Sequence, residues 1–311
     1  MADNHLIAKN TVFLYIRMLL SMGIYLYTTR VVLSILGVED YGIYNVVGGL
    51  VAMFSFLNAT MSGATSRFIT FELGKNSSKV QTVFSVALTI HIIIALIVFL
   101  IGETFGLWFL ENKLTIPATK MYEAKWLLQF SIVTMIFSFT QVPYNASIIA
   151  HEKMNIYAYF ELVNVGLKLL SVYLLLIIDA NKLIFYGAIV MLTQIGVTLL
   201  YRLYCTRKWE HCKFNLSLDR EFLRPLLSYS GWDLFGNASL VARTQGVNVL
   251  LNIFFGAILN AAAGIAMQVQ TAAMSFATNV MTAFRPQIVK TYAAKSYSEM
   301  INLISLGSII T

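Results

Sequence analysis

Of 311 residues, 58% are hydrophobic and 12% charged, at a mean hydropathy of +0.72, whereas soluble domains hold about 45–50% apolar and about 25% charged residues. That composition excludes a water-soluble globule, and it leaves the net charge of +7 with no soluble face on which to gather for nucleic acid. Apolar stretches of roughly 20 residues, separated by short polar turns, match helices crossing a hydrocarbon core of ~30 Å and are too long for the ~10-residue strands of a membrane barrel.

In chain order the pattern predicts eight full spans, at residues 11–36, 41–67, 79–101, 124–149, 156–178, 183–205, 226–255 and 258–284. A ninth begins near residue 298 and meets Thr311 after about fourteen residues, too few to cross, so the expectation is a chain cut within a helix. The first run is not a cleavable signal, since it is about 26 residues long, contains Arg17 and Arg30 and lacks a small-residue cleavage site. With the N-terminus inside, the inner loops carry fourteen Lys and Arg and the outer loops four. The positive-inside rule therefore predicts a cytoplasmic N-terminus.

The first helix ends at Gly37 and the next runs to Arg67; the seventh ends near Gly256 and the next runs to Arg285. These separations of 30 and 29 residues hint at an internal repeat. It would divide the chain into a six-helix lobe at 1–206, a basic cytoplasmic linker at 207–225, and the start of a second transmembrane lobe at 226–311. The linker region brackets His211 and Cys212, and Cys205 lies just before it. Without further ligands these thiols read as reduced and cytosolic.

Polar residues recur at three- and four-residue spacing, which marks helix faces turned from lipid. The second span has Ser55, Asn58, Ser62 and Thr65, and the fourth has Ser131, Thr134, Ser138, Gln141 and Asn145. The fifth has Glu161, Asn164, Lys168 and Ser171, and the seventh has Asp233, Asn237, Thr244 and Asn248. The eighth has Gln268, Thr271, Ser275, Thr278 and Thr282. For the Ser- and Thr-rich stripes of the second and eighth spans, helix-to-helix adhesion and an inward wet face are equally open readings. A wet cavity suits the amides and charges of the fourth, fifth and seventh better.

Arg17, Arg30, Lys168, Arg243, Glu161 and Asp233 all fall within spans. At ~2.5–3.5 kcal/mol each near the bilayer centre, they must turn inward, pair, or snorkel. Glu161 and Asp233 serve as charge partners, and even full pairing leaves two positive charges over. That surplus suits an anionic cargo. His91 is alone in an apolar helix and reads as structural, while Pro143 is a potential hinge. No nucleophile–base arrangement, metal cluster, nucleotide loop or catalytic carboxylate pair is present, so the reading is a non-enzyme without metal or cofactor.

Four runs carry a family resemblance: GVEDYGIYNVVGG (Gly37–Gly49), QVPYNASIIAHEKM (Gln141–Met154), SYSGWDLFGN (Ser228–Asn237) and FRPQIVKTYA (Phe284–Ala293). They resemble polysaccharide-biosynthesis flippases, which move undecaprenyl-pyrophosphate-linked O-antigen or capsule repeat units and share a superfamily with MATE-type multidrug exporters and lipid II flippases. The resemblance implies an all-α, MATE-like polytopic fold of two six-helix lobes in a bacterial inner membrane. By that pattern the chain holds one complete lobe and the start of a second. It also implies a lipid-linked oligosaccharide as cargo, with membrane lipid, a polysaccharide polymerase and glycosyltransferases as partners. Arg17, Arg30 and Arg243 stand where the family places cavity cations, and Lys168 joins them from its stripe as a pyrophosphate ligand. Gln141, Asn145, Asn237 and Asn248 are the candidate sugar ligands. The alternatives are a cation-coupled multidrug exporter of the same architecture, which would want carboxylates in the first lobe's cavity, or an inactive fragment.

Overall fold

The computed structural model describes residues 4–310 apart from 53, 76–77, 115, 178–180, 238, 240–269, 271–273, 275–277 and 279. All regular elements among the described residues are helical. Helix α1 spans Asn4–Ala52 and is broken at Gly37, whose φ of 78° and ψ of 172° lie where only glycine is unstrained. The break predicted there is real, and the second arm starts immediately without a separate turn. A single turn about Phe54, with its N–H on the Val51 carbonyl at 3.1 Å, leads into α2 (Ser55–Gly74).

Helix α3 (Val80–Ile101) does not stop at the predicted residue 101. It continues through a wider π turn, Gly102–Gly106, into α4 (Leu107–Asn112). Two local features let it continue. Gly102 accommodates Ile132, whose Cδ1 would lie 2.7 Å from a Cβ there, and Glu103 accepts a 3.1 Å hydrogen bond from Gln129 Nε2, so its carboxylate does not force the chain out of the helix. Helices α5 (Met121–Ala150), α6 (Met154–Ile177) and α7 (Lys182–Lys208) follow. Helix α5 passes through Pro143 as one element.

Five helical segments among the described residues are long and apolar enough to cross a membrane: Lys9–Gly37, Val80–Asn112, Ala118–Ala150, Met154–Ile177 and Lys182–Lys208. The predicted 41–67 span is built as the second arm of α1 plus α2, and its Ser, Asn and Thr stripe dilutes its apolarity. Most of the predicted 226–255 and 258–284 spans lies outside the described residues. Leu96, Leu100, Leu170, Leu176, Leu192 and Leu203 face outward, as side chains bathed in lipid do.

Helices α1 and α6 run parallel. Phe13 meets Tyr159 with ring centroids 6.0 Å apart, and further along the Tyr27 and Tyr173 hydroxyls are 3.2 Å apart. That is the order of a first and a fifth span. The bundle holds two apolar cores. One, nearer the N-terminus, is built on Phe84, Tyr144, Ile148 and Tyr201; the other, at the far end, is built on Val32, Val47, Leu128, Phe139 and Leu183. Polar groups gather between them. Beyond the bundle come helical residues 220–237, 280–293 and Tyr297–Ile310. Ala283 joins Leu14 and Met154 in a small buried cluster, and Val280, Phe284 and Leu303 close around Tyr15.

Candidate functional site

The stripes predicted on the second and fourth spans converge. A cavity of about 280 Å³ opens between the second arm of α1, α2, α5 and α7, lined by Tyr44, Asn58, Ser131, Thr134, Ser138 and Gln194 among others. Asn58 Nδ2 donates to Ser138 Oγ at 2.7 Å, while the Asn58 carbonyl oxygen is buried without a protein partner. Tyr186 stacks obliquely on Tyr44 with centroids 4.9 Å apart, and Tyr41 stacks on the other side at 6.5 Å. Among the described residues, no lining side chain carries a charge. Amides and hydroxyls beside tyrosine faces suit a polar, uncharged ligand.

Below this cavity Gln141 accepts from Gln194 Nε2 at 2.8 Å and from Thr198 Oγ1 at 3.2 Å. Gln141 is a sugar-ligand candidate from the sequence, whereas Gln194 and Thr198 are not among the predicted residues. Their signal is a polar pair four residues apart in an otherwise apolar helix. Asn145 is half-buried one turn further along α5, and its side-chain oxygen has no protein partner.

The charged candidates separate into two groups. Arg17 NH1 donates to the Tyr157 hydroxyl at 2.9 Å, and its guanidinium stands 4.9 Å over the Tyr157 ring. Glu161 is half-buried one turn along α6, within electrostatic reach of Tyr157 and Tyr201, as is Arg17. Lys168 is exposed although Val165 and Val172, on the same side of α6, are buried at 9% and 0% exposure. The outward face of α6, with Tyr159, Val163 and Leu170, points the other way, so Lys168 stands where inner packing opens. Projected through the α1–α6 pairing, it lies five residues, about 7.5 Å, beyond the level of Arg17. Arg30 instead extends the exposed apolar face of Ile16 and Leu19 on α1, seven residues before the Gly37 break. Arg243 and Asn248 lie outside the described residues.

Asn237 joins the 220–237 helix to α2 by donating to Thr60 Oγ1 at 3.1 Å, and also donates to Asp233 at 3.3 Å. Among the described residues, sequence reasoning also missed a dense polar contact between the bundle and the C-terminal helices. Glu152, on the α5–α6 turn, accepts from Gln287 Nε2 at 2.9 Å and Lys290 Nζ at 2.5 Å, and its carbonyl accepts from Asn10 Nδ2 at 3.2 Å. Nearby, His151 stacks on Trp209 with centroids 4.1 Å apart. Burial lowers the His151 pKa to about 4, and His211, Lys290 and Lys153 add positive charge in the same direction. Cys205 and Cys212 are buried free thiols, and the Cys205 thiol points to the Tyr144 carbonyl at 3.5 Å. His91 is fully buried, with Nδ1 2.7 Å from the Ala87 carbonyl. Among the described residues no cluster of His, Cys, Asp and Glu is arranged to hold a metal ion.

The fold is similar to that of solved MATE and other MOP-superfamily transporters. A multidrug resistance MATE family transporter in an outward-facing conformation superposes with a TM-score of 0.83 at 13% identity, covering 97% of this chain and 68% of the other. A MATE protein in its straight conformation gives 0.80 at 14% identity, covering 98% and 70%. A MOP-superfamily transporter from Pyrococcus furiosus, in which a binding pocket of reversed polarity suggests a different function, gives 0.79 at 14% identity, covering 97% and 68%. No protein-family model matches the sequence, and no curated relative matches it. The chain is a multi-pass membrane protein that shares the fold of these structures.

Proposed function

We propose that this protein is a flippase for an undecaprenyl-pyrophosphate-linked oligosaccharide repeat unit, working in the bacterial inner membrane with its N-terminus cytoplasmic. The observation that carries the reading is the charge layout of the first bundle: an uncharged amide, hydroxyl and tyrosine cavity, with Arg17 and Lys168 on the inner side of α1 and α6. Sugars call for the former and pyrophosphate for the latter. In this reading Arg17, Lys168 and Arg243 hold the pyrophosphate, and Gln141, Asn145, Asn237 and Asn248 hold sugar hydroxyls. The polyprenyl tail stays in lipid while two lobes, 1–206 and the one begun by 226–311, rock about the head.

Outward movement of a net charge of about −2 is downhill when the inside is negative, by ~2.3 kcal/mol per charge at 100 mV. The drive therefore needs no nucleotide site. Replacing Arg17, Lys168 and Arg243 together by Gln is expected to abolish surface glycan while the protein still reaches the membrane. Normal glycan from that variant would refute the anchor assignment. The multidrug-exporter reading wants a carboxylate in the cavity to bind a coupling ion and cationic drug, and among the described residues none lines it. A reversed-polarity pocket in a neighbour of the same fold supports a departure from cation export here. Unchanged drug susceptibility on expression in an exporter-deficient strain is the expected companion result.

A further inference from the structure

Two of the sequence runs that carry the family resemblance meet at one point that the transport reading does not use. Glu152 belongs to the first and sits on the α5–α6 turn; Gln287 and Lys290 belong to the second and sit on the 280–293 helix. Asn10, near the start of α1, closes the node from a third direction. Glu152, Gln287 and Asn10 are 8%, 6% and 3% exposed. Glu152 adopts a φ of 59°, a left-handed conformation that a non-glycine residue keeps only where its surroundings over-determine it.

An apolar cluster adjoins the node. Leu14, Met154 and Ala283 form a cluster at 0%, 0% and 1% exposure. On the α2 side Gly74 brings the helices together, since a Cβ there would stand 2.9 Å from the Lys290 Cα and 3.0 Å from its carbonyl oxygen. Arg67 over Tyr229 at 4.7 Å and Phe71 against Tyr292 at 6.3 Å extend the contact. All of these join the bundle to the C-terminal helices at the end of α1 that bears the N-terminus.

We infer that the Glu152–Lys290–Gln287–Asn10 node is a lock that holds this end of the transporter closed, and that it must break for the passage to open there. The chemistry suits a reversible device. Desolvation of the two charges offsets most of their attraction, so the closed pair adds little net stability, yet loss of one partner strands a buried charge and is costly. The Lys290 side chain is 31% exposed and that of Glu152 9%, so water reaches the ammonium and assists separation. A marginal closed state of this kind is one that a differentially bound cargo is able to shift.

The test is alkylation of Ala283→Cys by a water-soluble maleimide in the intact protein, a readout independent of what is transported. Native Cys205 and Cys212, both buried, report general unfolding, and mass spectrometry assigns each adduct. Ala283→Cys is expected to react slowly alone and at least about ten-fold faster with Glu152→Ala or Lys290→Ala, with Cys205 still protected. The double exchange Glu152→Lys with Lys290→Glu is expected to restore protection. If Glu152→Ala also exposes Cys205, the nearly isosteric Glu152→Gln decides: faster labelling with Cys205 protected upholds the lock. Unchanged labelling in the Gln and Lys290→Ala variants overturns it, and leaves the flippase reading standing on its own glycan assay.

Discussion

At the scale of single residues, Arg17 shows why charge alone is a poor description of a cation within a span. Its guanidinium both donates to the Tyr157 hydroxyl at 2.9 Å and lies over that ring, a planar arrangement that an ammonium does not reproduce. Arg17→Gln is expected to lower surface glycan by about ten-fold or more, and Arg17→Lys by less, since it keeps the charge but loses the stacking worth ~0.5–2 kcal/mol. Arg30→Gln, on the outward face of α1, is expected to leave glycan near wild type, and quantitative blotting of the three variants checks the order. His151 supplies a pH signature of a different kind. Its folded pKa is depressed to about 4 from 6.5, so at neutral pH it is uncharged in both folded and unfolded states. Between those two values the unfolded chain binds a proton that the folded one refuses, and stability falls as pH drops from about 6.5 toward 4. Thermal unfolding in detergent at pH 7 and pH 5 is expected to show that loss, reduced in His151→Gln. The inward packing of Arg17 on Tyr157 was legible because a charge inside a span is costly toward lipid, whereas Arg30, under the same rule, stays on the exposed face. The contacts of Glu152 were not legible, since its partners lie 142, 135 and 138 residues away in sequence and nothing local announces them.

At the scale of elements, glycines mark where helices end and where they touch, and only the first kind is readable from sequence. Gly37 ended a predicted span because an apolar run stopped there before Glu39 and Asp40, and the structure breaks α1 at that residue with φ at 78°. A Cβ at Gly37 meets nothing within 4 Å, so Gly37→Ala is expected to cost only the strain of a backbone region open essentially to glycine alone, ~1–3 kcal/mol. Gly74 differs, because its close neighbours are the Lys290 Cα and carbonyl, and backbone gives way less readily than the flexible Ile132 tip beside Gly102. Gly74→Ala is therefore expected to loosen the α2 contact with the 280–293 helix and lower the unfolding midpoint more than Gly102→Ala does. The unpredicted extension of α3 into α4 has the same origin. Hydropathy falls at Gly102–Glu103, which reads as a helix end, but Gln129 supplies the carboxylate with a donor and the helix continues. Polar stripes were legible as inward faces, yet the meeting of Asn58 with Ser138, and of Gln141 with Gln194 and Thr198, depends on how α2, α5 and α7 are rotated against one another.

At the scale of the whole molecule, the proposed cycle has an energetic consequence that separates it from ion-coupled export. A pyrophosphate head carries about two negative charges outward down the membrane potential, a gain of ~4–5 kcal/mol at 100 mV. That bias acts on the charge moved rather than on any single side chain. The cations that hold the head, Arg17 and Lys168, stay with the protein and contribute to the coupling only through their own displacement. In vesicles containing the intact protein, with the compartment equivalent to the cytoplasm held negative by a potassium gradient and valinomycin, outward movement of a lipid-linked oligosaccharide is expected to accelerate. Reversing the gradient is expected to slow it. The potential shifts both the rates and the final distribution of the lipid between leaflets, and at 100 mV the equilibrium bias for two charges is a factor of order 10³. A distribution indifferent to potential, but responsive to a sodium or proton gradient imposed alone, would mean that an ion carries compensating charge through the cycle. In that case the uncharged pocket at Asn58 and Gln194 is not the coupling site, because binding a bare cation there would strand its charge without a carboxylate partner.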